Sequence, residues 1–278
     1  MERVFSRVKM PLHFWVGAAS LLISNIGVFL RIEPFVTFFY PFVWWSYVVM
    51  IDGLVFRLKG FSLFSRLKTK ALLLIIVSFL FWEFFEFLNK RTINWSYFVP
   101  SLPFITRKIF RFLSFSTVLP IILETYELLD FLVKREIRVR AWNLANKPDL
   151  LWISLGIILF LLSIIWPKYF FWCIWLALIF ILDPWTKNIS GESLSVQLSK
   201  GNFRTLSLLV ATGIIIGFLW EGWNYWAGIK WQYNVPFVGE WKIFEMPILG
   251  YLGFVGFSIE AYVFYKWFSA LTGLERPV

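Results

Sequence analysis

The chain is short of the residues on which most metal and nucleophile sites depend. It has one histidine, His13, and one cysteine, Cys173, in 278 residues. A zinc site of the usual histidine or cysteine type needs three or four such ligands, so none is expected. A lone cysteine also excludes an intrachain disulfide. Charge is scarce as well, at 16% of residues against about a quarter in soluble domains. No phosphate-cradling glycine loop, no paired-aspartate diphosphate motif and no serine–histidine or cysteine–histidine couple is present. The reading therefore calls for no metal and no cofactor.

What the chain has instead is apolar and aromatic: 59% hydrophobic and 22% aromatic, with 17 tryptophans. The apolar residues fall in blocks long enough to cross a bilayer, which takes about 20 residues as a helix. About eight spans are expected, roughly 12–30, 35–56, 71–88, 112–133, 149–166, 169–183, 205–227 and 247–271. Trp166-Pro167-Lys168 reads as either a turn between the fifth and sixth spans or a kink in one long helix. The stretch from Leu12 to Leu30 lacks a small-residue cleavage site and is longer than a signal core, so it reads as a retained helix.

The net charge of +10 sits between these blocks, which argues against nucleic acid as partner and for positive-inside topology. With the N-terminus inside, the inner segments hold seventeen lysines and arginines and the outer ones nine. Both termini are then cytoplasmic, and a prokaryotic inner membrane is expected.

An internal repeat is the strongest signal. Trp82-Glu83-Phe84-Phe85-Glu86 matches Trp220-Glu221-Gly222-Trp223-Asn224, and Trp95-Ser96-Tyr97 matches Trp231-Gln232-Tyr233. Pro100 stands as far before Glu124 as Pro236 before Glu260. Trp44 and Asp52 match Trp175 and Asp183 at equal spacing. The fold class is therefore all-α: a polytopic membrane protein of two parallel four-helix repeats, residues 1–140 and 141–278, with a site at their interface.

Ionisable residues at bilayer depth are costly and are functional candidates by default. The candidate acid–base residues are Glu83, Glu124, Glu221 and Glu260, with Asn224 as an orienting group. Glu83 and Glu86 share a helix face, as do Glu221 and Asn224, and each pair is expected to converge with Glu124 or Glu260. Trp82, Trp220 and Trp223 beside the carboxylates suit a carbocation or another cation. With Glu86, Trp231, Tyr233 and Glu245 they are the expected substrate-binding set. The competing assignments are neutral glutamates that join helices, interfacial belt residues for Trp95, Tyr97, Trp231, Tyr233 and Trp241, and close helix packing for Gly250, Gly253 and Gly256.

Trp220-Glu221, then Gly228-Ile229-Lys230-Trp231-Gln232-Tyr233, then Pro247 opening an aromatic-rich helix, resembles the lycopene cyclase domain of integral membrane carotenoid cyclases. Trp82-Glu83 and Trp95-Ser96-Tyr97 repeat the pattern more weakly, and paired domains are common in that family. The resemblance covers about 50 residues in each half. Where the family has Pro-x-Glu-Glu, this chain has Pro247-Ile248-Leu249-Gly250, and its helices number four per half, not three. The role of the family's paired glutamates therefore does not transfer. What the resemblance implies is metal-independent chemistry of the cyclase, hydratase or isomerase kind on a membrane-dissolved isoprenoid. A proton-coupled carrier and a non-catalytic membrane scaffold are the alternatives.

Overall fold

The computed structural model describes residues 9–237 and 241–274. Arg3, Arg7 and Arg276, which bear on the charge bias, lie outside them. The described residues are mostly helical, with little sheet. In order, the elements are α1 (Leu12–Phe29), α2 (Phe39–Lys59), α3 (Leu63–Leu67), α4 (Ala71–Thr92), β1 (Trp95–Phe98), α5 (Phe104–Phe115), α6 (Val118–Leu132), α7 (Asp149–Ile165), α8 (Pro167–Phe170), α9 (Ile174–Ser190), α10 (Leu194–Ser199), α11 (Arg204–Trp226), β2 (Lys230–Tyr233), β3 (Lys242–Ile243), β4 (Met246–Pro247) and α12 (Tyr251–Thr272).

Among the described residues, seven helical segments are long and apolar enough to cross a membrane. An eighth apolar helix, α7, is shorter, at 17 residues. Trp166 is the turn between α7 and α8, and the following span runs on to Ser190, seven residues beyond the expected end. The expected span at 112–133 is broken at Ser116 and Thr117. Its first part belongs to α5, an amphipathic helix with Arg107, Lys108 and Arg111 on one side and Ile105, Ile109 and Phe112 exposed on the other. A charged helix of that kind suits a membrane interface better than its interior.

Glycine lets the helices close up. A Cβ on Gly17 would meet the Met50 backbone at 2.5 Å, joining α1 to α2, and one on Gly156 would meet the Ala177 carbonyl at 2.8 Å, joining α7 to α9. Helices α6 and α12 meet at the middle of the bundle, where the Tyr126 and Tyr262 rings lie 5.0 Å apart.

Both halves build the same turn after their second long helix. Asp52 on α2 accepts from the Phe64 N–H at 3.0 Å, and Asp183 on α9 accepts from Leu194 at 2.8 Å and Ser195 at 3.1 Å. Each acid thereby satisfies a free N–H at the start of a short helix. Ser62 and Ser193 cap those same helices, and Gly60 and Gly191 end the preceding ones in the left-handed conformation. The Asp52–Asp183 match thus reaches beyond two letters to a shared set of contacts.

The strands β1 and β2 pair antiparallel, with Trp95 opposite Tyr233 and Tyr97 opposite Trp231. The pairing maps onto itself when the two Trp-x-Tyr segments exchange places, as a two-fold axis through the strands requires. This pair defines one end of the bundle, called the strand end below.

Candidate functional site

Beneath the strand pair lies a chamber of about 420 Å³. That is within the range of roughly 300–1,000 Å³ for small-molecule sites. Its walls come from both halves and are almost entirely apolar, with aromatic rings as the largest share. Trp82, Trp95, Trp175, Trp220, Trp231 and Phe257 form the inner surface, and Tyr40, Tyr97 and Tyr233 add phenols. The rings are in mutual contact: Trp82 and Trp220 lie 5.8 Å apart, Tyr40 and Trp231 5.4 Å, and Trp175 and Phe257 5.6 Å.

Two carboxylates stand behind this wall. One oxygen of Glu86, on α4, accepts from Trp82 Nε1 at 3.0 Å, Trp95 Nε1 at 3.0 Å and the Tyr97 hydroxyl at 2.6 Å. On α11, Glu221 accepts from the Tyr233 hydroxyl at 2.7 Å, and that hydroxyl in turn accepts from Trp231 Nε1 at 2.7 Å. Glu221 is fully buried, and its second oxygen has no hydrogen-bond partner. Each carboxylate therefore holds a phenol on the chamber wall. Burial, and then the Glu221 charge, push the Tyr233 phenol well above its usual range, so it stays protonated as a donor.

One helical turn further on, an asparagine fixes each strand. The Asn224 amide donates to the Trp231 carbonyl and accepts from the Trp231 N–H, both at 2.9 Å. Asn89 does the same for Trp95, donating to its carbonyl at 2.8 Å and accepting from its N–H at 3.3 Å. By these contacts Glu86 answers to Glu221 and Asn89 to Asn224. The match of Glu83 with Glu221 and of Glu86 with Asn224, expected from the letters, is thus displaced by about one helical turn.

Glu83 is not in the chamber: it forms an ion pair with Arg111 of α5. Trp223 also lies outside, packed at 4.7 Å against Trp44 and at 6.0 Å against Tyr47. Glu245 pairs with Lys230 at 3.3 Å. Trp95 and Trp231, read as belt candidates, are buried, whereas Trp241 is 77% exposed. Gly253 and Gly256 face Trp175 across the α9–α12 contact, and Gly250 faces Met246.

The expected convergence of Glu221 and Asn224 with Glu260, and of Glu83 and Glu86 with Glu124, does not occur. The hydroxyl of Ser258 donates to the Leu209 carbonyl at 2.7 Å, which puts those residues at one level. Glu221 lies twelve residues along α11 from that level, and Glu260 lies two residues the other way on α12. At about 1.5 Å per residue the two are separated by about 20 Å along the helix axes. Ser78 accepts from Leu119 N–H at 3.0 Å and sets the level in the first half. Glu83 and Glu124 are five residues away in opposite directions, about 15 Å apart.

Glu124 and Glu260 are fully buried, and neither carboxylate meets a donor in good hydrogen-bond geometry; the Asp52 carboxylate stands beside Glu124 and the Leu178 main chain beside Glu260. Glu124 has charged neighbours in Asp52, Glu127 and Arg66. Glu127 is itself buried and is held by Arg66, with Lys59 at 3.7 Å. His13 lies 3.3 Å from Asp52. The sequence reading passed over Glu127, Asn89 and Tyr40, and it named Tyr97 only as a repeat and belt residue. The repeated spacing of Glu, Asn three residues later, then Trp-x-Tyr was the available signal for Asn89 and Tyr97.

No family model matches the chain, and no curated protein or solved structure matches it.

Proposed function

We propose that this chain is an intramembrane enzyme that holds an unsaturated isoprenoid-type lipid in the aromatic chamber and isomerises or cyclises it by proton transfer. The observation that carries the reading is a phenol backed by a carboxylate in each half, Tyr97–Glu86 and Tyr233–Glu221, the first carboxylate half-buried and the second fully buried, with both phenols on the chamber wall.

The chemistry needs an acid, a base and a surface that tolerates a carbocation. A protonated Glu221 hands its proton to Tyr233 as the phenol protonates a double bond. The ring faces of Trp82, Trp220 and Phe257 stabilise the resulting cation. Tyr97 then takes a proton from a neighbouring carbon and passes its own to the Glu86 carboxylate. One proton enters and one leaves, so the product is an isomer of the substrate and no oxidant, reductant or metal is consumed. Exclusion of water keeps the cation from being trapped as an alcohol. The resemblance to the carotenoid cyclases points to the same substrate class. In this reading the strand end faces away from the cytoplasm, both termini are cytoplasmic, and the membrane is a prokaryotic inner membrane.

The test is the isoprenoid profile of membranes containing the wild type, Tyr233→Phe and Glu221→Gln, resolved by liquid chromatography and mass spectrometry. Loss of one isomer from both variants, with the protein still folded, is expected. An unchanged profile removes the assignment.

A second reading, a proton-coupled carrier, is favoured by one observation: Glu124 and Glu260 are buried without a donor in good hydrogen-bond geometry on two helices that pack together. Such groups mark ion and proton paths. It requires water to reach them, and thiol labelling of cysteines placed around Glu124 tests that. Complete protection from both sides rules it out.

A further inference from the structure

Most of the chamber wall is buried or half-buried, yet three of its apolar lining residues are open to the outside: Trp172 at 48%, Leu249 at 62% and Leu252 at 67%. A residue that borders both the cavity and the exterior marks a mouth. Trp172 lies just before α9, while Leu249 and Leu252 lie at the start of α12, so the mouth is the gap between those two helix ends. Both segments are membrane-spanning candidates, and the surrounding exposed residues are Trp166, Tyr169 and Ile248. This surface is suited to acyl chains. The other exposed lining residue, Tyr97, is on the strand side.

Gly253 lies in the wall next to this gap. A Cβ on Gly253 would meet nothing closer than the Trp175 ring at 3.6 Å. By contrast, one on Gly256 would be crowded at 3.1 Å and one on Gly250 would strike Met246 at 2.3 Å. Packing therefore does not demand glycine at 253. Within a helix, glycine costs about 1 kcal/mol relative to alanine. A glycine with that cost and no packing return, on a cavity wall beside a mouth, leaves room for something that passes.

We propose that the chamber opens sideways into the bilayer between Trp172 and the Leu249–Leu252 turn, and that Gly253 sets the width of the ligand that enters. The inference rests on the chamber being a lipid-binding site. The ligand is taken from and returned to one leaflet without crossing water. Trp172, held by its Nε1 donating to the Tyr169 carbonyl at 3.2 Å, forms the movable side of the opening.

Retinol, an isoprenoid polyene that accepts excitation energy from tryptophan, is the probe. Full-length protein in phosphatidylcholine vesicles is mixed with retinol, and the saturable energy transfer is followed in time. Alanine, leucine and phenylalanine at Gly253 should slow loading progressively. Phenylalanine should slow it by about tenfold, equivalent to roughly 1.4 kcal/mol on the barrier. Trp172→Ala should speed it. Exchange rate, more than final capacity, should respond. If Gly253→Phe does not fold, Leu252→Trp narrows the mouth from the other side. Saturable loading whose rate is the same in the narrowed and widened variants overturns the portal and leaves the chamber standing. No saturable transfer in the wild type overturns the chamber reading, and the portal with it.

Discussion

Asn224 grips Trp231 at both of its main-chain polar atoms, at 2.9 Å each, and so fixes the strand that carries Tyr233. Asn224 is fully buried. Asn224→Ala leaves a buried N–H and a buried carbonyl without partners, at about 1–3 kcal/mol for each unsatisfied group. Thermal unfolding in detergent should show a clear loss of stability. Asn224→Asp, which retains the acceptor, should lose less. Equal stability of Asn224→Ala and the wild type would show that the clamp contributes nothing.

The Glu127 carboxylate is buried between Arg66 and Lys59. Breaking a buried ion pair from one side strands the remaining charge and costs about 3–5 kcal/mol. Glu127→Gln should therefore be strongly destabilising. Arg66→Met combined with Glu127→Gln should be milder than the sum of the single changes, since the one guanidinium–carboxylate pair is then lost only once. Simple additivity in that cycle would contradict the pairing.

Tyr233 gives the protein an alkaline limit. Burial first, and the Glu221 carboxylate second, hold its phenol well above the ordinary range. The unfolded chain, with a tyrosine pKa of about 10, loses that proton before the folded one does. The stability linked to this group is complete below the unfolded pKa and is lost as pH rises above it. Stability curves of the wild type and Tyr233→Phe should run parallel near neutral pH and diverge above about pH 10, with the variant falling less steeply. Identical alkaline limbs would mean that Tyr233 is not shielded.

Much of this was legible in the letters, and what was not has a physical cause. The apolar blocks gave the helices because their length is set by the bilayer. The match of Asp52 with Asp183 fell on a turn that both halves build, since a carboxylate and a capping serine, Ser62 or Ser193, act over a fixed distance. The Trp-Glu pairs misled. Trp82-Glu83 and Trp220-Glu221 look alike, but hydrogen bonding equates Glu221 with Glu86, one turn later. The asparagine three residues after each true counterpart, Asn89 and Asn224, and the phenol partners Tyr97 and Tyr233 separate the two alignments. Convergence of Glu221 with Glu260 failed for a related reason. Residues on neighbouring antiparallel helices can be matched in sequence between repeats and still stand at opposite depths. The break before α6 was hidden because the Ser116-Thr117 interruption is short and apolar letters run on either side of it, while the backbone turns there.

The central claim is that the chamber holds an isoprenoid. The direct measurement is mass spectrometry and absorbance of the lipid retained by protein purified in mild detergent. It should compare the wild type with a Trp82→Ala, Trp220→Ala variant that removes two of the ring faces. The account predicts a polyene or other isoprenoid in stoichiometric amount with the wild type and its loss from the folded variant. Phospholipid alone in both, with no isoprenoid in either, would contradict it.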